Sequence, residues 1–199
     1  MPNAAGINGA GLNGSARPLS VPAEYPSRSA YTCVLTGSPD LPLPIASFQA
    51  RWNDDSPTFL SVNVPGAVDL EEEIEARAGG QIVLTRTTYS ASGSVLSTGE
   101  VLRVDLENIR IDAGPRSWTA SLDGHRTTVN GAPKSVTLTG ASYRSVTNGI
   151  RRYRCRPNNA MRPGDTAIIG EDSFVVDSIA WYVSTGGETY ELSEAEPNG

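Results

Sequence analysis

From Ser173 to Val183 eleven residues read SFVVDSIAWYV, and no other stretch narrows the possible folds of this chain as much. Side chains of an extended chain alternate between faces with a period of two. Val175, Ile179, Trp181 and Val183 fall on one side; Phe174, Val176, Ala180 and Tyr182 fall on the other. Both sides are largely apolar, which is the pattern of a strand covered on two faces in a closed barrel, a sandwich or a subunit interface. Turn signals bound the stretch. Arg162-Pro163-Gly164-Asp165 sets a fixed φ ahead of a residue that tolerates positive φ, and Gly170 to Ser173 reads as a hairpin loop. Beyond Thr185-Gly186-Gly187 the alternation returns with Tyr190 and Leu192.

The rest of the chain has the same character. Twenty glycines and 14 prolines in 199 residues favour many short strands and turns, and the length suits one medium β domain or two small ones. Tyr31 to Thr36 is a first strand, followed by a turn-rich connection forced by Pro39, Pro42 and Pro44. Ala46 to Trp52 and Thr58 to Val64 form a hairpin around 53–57, with Phe48, Ala50, Trp52, Leu60, Val62 and Val64 inward. Gln81 to Tyr89 pairs with Glu100 to Asp112 across Ser90 to Gly99. In the second of these, the apolar residues pass from Leu102, Val104 and Leu106 to Ile109 and Ile111. That change of parity requires a bulge near Glu107-Asn108. Ser117 to Leu122 is a strand, Asp123 to Lys134 a polar loop, and Val136 and Leu138 begin the next strand.

One helix is expected, Asp69 to Ala78. Asp69 is its N-cap, Glu72 completes a capping box, Leu70, Ile74 and Ala78 form its stripe, and Gly79-Gly80 ends it. It is too short to stand alone and must lie on a sheet. The expected class is therefore mainly β, an antiparallel barrel or sandwich with one short helix. Residues 1–29 are rich in Gly, Ala, Asn, Ser and Pro and read as an extended arm that cannot bury enough surface to fold alone. Within it Ile7 and Leu12 each precede an Asn-Gly pair, and both are candidate contacts to a neighbouring subunit. Residues 30–199 form the β-rich domain, with a possible subdivision near 140 and closing strands over 150–194.

The net charge of −6 argues against gripping nucleic acid as the main task. The charge is uneven. Arg144, Arg151, Arg152, Arg154, Arg156 and Arg162 occur without an acid between Tyr143 and Arg162, so the remaining residues carry −12. Arg152, Arg154 and Arg156 share one strand face, with Tyr153 and Cys155 on the other. Such a row either protects a sheet edge or docks an acidic surface. That surface could be the acidic helix or the tail acids Glu188, Glu191, Glu194 and Glu196, of the same or another chain.

Catalytic chemistry finds little support. His125 is the one histidine; a triad would need it with Ser121 or Ser117, yet no nucleophile elbow is present and it reads as a solvated loop side chain. Asp54-Asp55 and Glu171-Asp172 lack the alternating oxygen ligands of a calcium loop and read as turn residues. Cys33 and Cys155 read as two buried thiols and not as a disulfide framework or a metal site. No catalytic, cofactor-binding or metal-binding residue is expected. No apolar run reaches the length of a membrane span, and the N-terminus lacks the basic start and apolar core of a secretory signal.

Several segments carry a resemblance: Arg152 to Cys155, Arg162 to Thr166, Ser173 to Ile179 and Tyr190 to Glu194. Together they resemble the C-terminal part of tailed-bacteriophage tail-tip and baseplate proteins, and the hairpin–helix–hairpin from Phe48 to Asp112 is similar to the tube-like domains of tail hub proteins. The resemblance implies a non-enzymatic virion protein of the tail, assembled in the host cytoplasm. It would form a ring of identical subunits, three- or sixfold, joining the tail tube to hub or fibre proteins, with DNA at most passing through its lumen. Trp181 and Tyr182 then join Arg152, Arg154, Arg156, Ile7 and Leu12 as candidate subunit contacts. The alternative is a β-sandwich that binds host-surface carbohydrate through Trp52, Tyr89 or Trp118.

Overall fold

The computed structural model describes residues 28–53, 56–113, 118–127, 131–141 and 143–195. Of the expected arm at 1–29, residues 1–27, with Ile7 and Leu12, lie outside the described residues, as do Asp54-Asp55, Ser117 and Glu196. Arg28 and Ser29 are not part of an arm but open a strand, pairing with Tyr89 and Thr88. Thirteen strands are described: β1 Arg28–Leu35, β2 Leu41–Leu43, β3 Ser47–Asn53, β4 Thr58–Pro65, β5 Gln81–Tyr89, β6 Val95–Ala113, β7 Trp118–Arg126, β8 Ser135–Thr137, β9 Tyr143–Thr147, β10 Ile150–Arg154, β11 Thr166–Ile169, β12 Asp172–Ser184 and β13 Gly187–Glu194. Eleven of them follow the order β2-β1-β5-β6-β7-β4-β3-β12-β13-β10-β9, each antiparallel to its neighbour. β11 joins the side of β12 and pairs in parallel with β8.

The mainly antiparallel architecture with one short helix is as expected, but the barrel is not closed. β2 and β9 end the order and do not pair with each other, so the sheet is an open roll. It curls far enough for β1 to meet strands five and six places away, β3 and β12: the Tyr31 ring lies 4.9 Å from Phe48 and 5.9 Å from Trp181. Inside the roll, Trp181 makes further ring contacts with Trp52 and Tyr190, at 6.4 and 5.2 Å. Leu35, Leu60, Val62, Ile82, Leu84, Leu122 and Leu192 are fully buried around that cluster.

Bulges account for where the strands turn. The parity change in β6 has the expected cause: register slips between Leu106 and Asn108, leaving Glu107 unpaired in the ladder. β6 also begins earlier than its pattern indicates, at Val95, and the turn before it is only 90–94. β7 likewise continues to Arg126, so His125 lies on a strand and not in a loop.

The largest correction concerns the opening stretch. β12 is not buried on both faces. Its register slips between Val176 and Ser178. Phe174 and Val176 before the slip, and Ile179 and Trp181 after it, therefore all point into the one core. Val175 and Tyr182, 49% and 37% exposed, lie on the outer face. The apolar residues of both parities come from one bulge, and covering them needs no second sheet or subunit.

The helix is shorter than expected. A 3-10 turn spans Ala67–Asp69 and the α-helix, α1, only Glu71–Glu75; Leu70 is its N-cap and no side chain caps it, so the capping box of Asp69 and Glu72 does not form. Ala67 and Ile74 provide the buried anchors, while Ala78 is exposed. Gly79, at φ 84, ends the helical turn as its position indicates.

Candidate interaction surface

The arginine-rich strand β10 pairs with β13 on one side and β9 on the other, so its side chains stand in the middle of a three-stranded ladder near one end of the roll. Tyr153 and Cys155 are buried and Arg152, Arg154 and Arg156 exposed, which is the division the alternation requires. Part of the charge is neutralised within the chain. Arg154 Nε donates to Glu191 Oε2 at 3.2 Å. Arg151, at the rim of the core, donates through Nε to Glu194 Oε2 at 2.8 Å, and its backbone N–H reaches the same oxygen at 3.1 Å. The guanidinium also lies over the Phe174 ring at 5.4 Å. These charge-assisted bonds hold the Glu194 carboxyl below the usual glutamate range and raise Arg151. Asp172 accepts from Tyr153 Oη and Arg151, tying β12 to β10.

Arg152 and Arg156 differ from these. Among the described residues neither forms an ion pair, and the Arg156 stem lies across Gly140. Two guanidinium forks are thus presented outward, suited to carboxylates on another surface. Tyr182, on the outer face of β12, accepts from Arg51 at 3.0 Å and is also available. Trp181 is not. It is 1% exposed, packed among four aromatic rings, with its Nε1 donating to Glu188 at 2.9 Å. Its place in the candidate set is withdrawn, because a side chain enclosed by its own chain has no area to offer a partner.

The other candidates resolve as follows. His125 Nδ1 lies 2.8 Å from Glu107 at the β6 bulge, and its ring is 5.1 Å from Phe59. Ser121, four residues away on the same strand, is on the order of 13 Å distant at the rise of an extended chain, too far to be activated by it. Cys33 and Cys155 are buried free thiols, as read, and burial pushes both up to about 12. Trp52 is 4% exposed and cannot serve as a stacking platform for sugar; Tyr89 is covered by the Arg28 guanidinium at 4.7 Å. Among the described residues no group of three or more histidine, cysteine or acidic side chains could hold a metal, and no helix is long and apolar enough to cross a membrane.

No protein-family model and no curated protein matches the sequence. Solved structures do match in fold. A tail protein from Neisseria meningitidis MC58 superposes with a TM-score of 0.51 at 7% identity, over 84% of this chain and 96% of that one. An E. coli protein described as a component of the type VI secretion system, with structural similarity to the T4 bacteriophage tail proteins gp27 and gp5, gives 0.52 at 6% identity, over 83% and 77%. The 43 kDa tail protein of prophage MuSo2 from Shewanella oneidensis gives 0.49 at 8% identity, over 83% and 98%. At such identities the likeness concerns architecture: the open, mainly antiparallel roll of this chain is a fold found in a tail protein and in a component of the type VI secretion system.

Proposed function

We propose that this chain is a structural subunit of a phage tail or tail-like machine, acting without catalysis as a ring of identical copies that joins a tail tube to hub or fibre proteins. The observation that supports the reading most is the fold shared over more than four-fifths of the chain with a tail protein and a type VI secretion component that is itself described as similar to bacteriophage tail proteins. The surface agrees with it. Arg152 and Arg156 are outward-facing cations without intrachain carboxylates among the described residues, and Val175 and Tyr182 are exposed on β12, two strands away across β13. In this reading Arg152, Arg154, Arg156 and Tyr182 contact neighbouring tail components.

Electron microscopy of the purified full chain, with light scattering for mass, tests the reading. Closed rings of one size, three- or sixfold, are the expected result. A monomer that persists at every concentration, alone and with tube and hub proteins, would overturn it.

A further inference from the structure

A second group of arginines lies away from β10. Arg103 on β6, Arg126 at the end of β7 and Arg162 in the loop before β11 line one open pocket of about 330 Å³, with Trp52 and Leu102 beneath them and Glu100 as the one acid. Three cations and one anion leave the pocket strongly positive on a chain whose net charge is −6. Their hydrogen bonds differ. Arg103 is held by Glu100, at 2.9 Å from Nη2, and by the Gln81 side chain. Arg162 spends Nη1 on the carbonyls of Asn159 and Met161, both at 2.7 Å. Arg126 is exposed and makes no ion pair among the described residues. The pocket therefore holds two positioned guanidinium groups and one free one, a setting for paired carboxylates.

The chain carries a matching surface. On α1, Glu72, Glu73 and Glu75 are exposed, no basic residue lies in the helix's last turn, and among the described residues the one ion pair there is Arg77 with Glu73 at 3.8 Å. Glu72 and Glu75 are three apart and so face the same way on the helix. The C-terminal acids are less suitable partners, since Glu191 and Glu194 are already engaged by Arg154 and Arg151.

We infer that the Arg103–Arg126–Arg162 pocket receives the acidic face of α1 from a second copy of this chain. Two different surfaces meet in such a contact, so it is heterologous and propagates from copy to copy until it closes in a ring or extends as a stack. The inference rests on the self-assembling reading above and identifies which side chains make one of its contacts.

A charge swap tests it with the full-length protein. Arg126→Glu and Glu72→Arg are both at exposed positions, and circular dichroism verifies that each variant folds. Sedimentation should show self-association weakened by at least about tenfold for each variant alone and for the wild type at high salt, because exposed charge pairs are screened. An equimolar mixture of the two variants should recover association, since each supplies the surface that the other lacks. Should either variant misfold, Arg126→Gln and Glu72→Gln make the same comparison without charge reversal. Wild-type protein that assembles normally while the folded variants assemble equally well overturns this contact and leaves the ring reading standing. A wild type that stays monomeric at every concentration, alone and with tube and hub proteins, overturns both.

Discussion

The guanidinium of Arg86 lies over the indole of Trp181 at 5.4 Å, inside the roll, joining β5 to β12 across the core. Arg86 is 8% exposed and donates to Ser29 Oγ at 3.0 Å and to the Pro157 carbonyl at 3.1 Å. A buried cation keeps its charge at a tolerable cost only when its donors are satisfied and a π-face is near. Arg86→Met should therefore lower stability by about 2 kcal/mol through the stranded carbonyl and hydroxyl. In a chain of this length that amounts to a melting temperature lower by roughly 4–8 °C in a calorimetric scan. Arg86→Lys should recover less than half of the loss, since one ammonium cannot reproduce the planar fork.

Gly124 on β7 faces the bulged part of β6. A Cβ there would sit 2.3 Å from the Asp105 carbonyl oxygen and 2.7 Å from Val104 Cγ2. Gly124→Ala should destabilise by about 1–3 kcal/mol as the two strands are forced apart. Gly131→Ala, where a Cβ meets nothing within 4 Å and φ is not positive, is the control and should be close to neutral. Denaturant midpoints of the two variants compare them directly.

That bulge also shows what could be read from the sequence. Glu107 betrays itself because Leu106 and Ile109 cannot face one core without a slip, and the polar residues around them leave the parity change easy to see. The Asp177 bulge produces the same signature between Val176 and Ile179. There, exposed Val175 and Tyr182 filled the outward positions with apolar side chains, so a phase change looked like burial on two faces. Arg86 was hidden for the opposite reason. It takes an inward position in the series Ile82, Leu84, Arg86, Thr88, and alternation alone does not say that a strand's polar end is buried. Of the candidate surface, the outward direction of Arg152, Arg154 and Arg156 was legible from period-two spacing. Their ion-pair partners, and the meeting of Arg103, Arg126 and Arg162, depend on strand order, which local patterns do not contain.

Alkaline pH should unfold the protein early. Burial raises Cys33 and Cys155 to about 12 from an ordinary value near 9. A raised group binds its proton more tightly in the folded state, so its contribution is complete below pH 9 and is lost as the pH climbs toward 12. Burial pushes Tyr31 and Tyr190 up as well, adding to the loss at the top of that range. Melting temperatures measured from pH 8 to 11 should fall continuously above about pH 9. In the native protein both thiols should resist a thiolate-specific reagent at pH 8 and react fully once denatured.

The Glu194 carboxylate contributes with the reverse sign. Its depressed value, caused first by the Arg151 hydrogen bond, means that its contribution is present at neutral pH and is lost as acid protonates it. Glu194→Gln should cost about 1 kcal/mol at pH 7 and flatten the acid limb of the stability curve. A variant whose acid limb matches the wild type would remove Glu194 from the account.

His125→Ala should change stability by no more than about 0.5 kcal/mol, since the exposed Glu107 contact is its main polar interaction. Thermal unfolding at pH 7 measures it.

The strand order has a consequence for synthesis on the ribosome. β12 and β13 sit between β3 and β10 in the sheet, yet β12 starts 119 positions after β3 has ended, at Asp172 against Asn53. Tyr31 must likewise wait for Glu188, 157 residues downstream, to accept its hydroxyl. A nascent chain that stops short of Asp172 presents the unpaired edge of β3 and the uncovered rings of Phe48 and Trp52. Interrupted translation would thus release an adhesive fragment, and the segment that begins at Asp172 decides whether the residues made before it remain soluble.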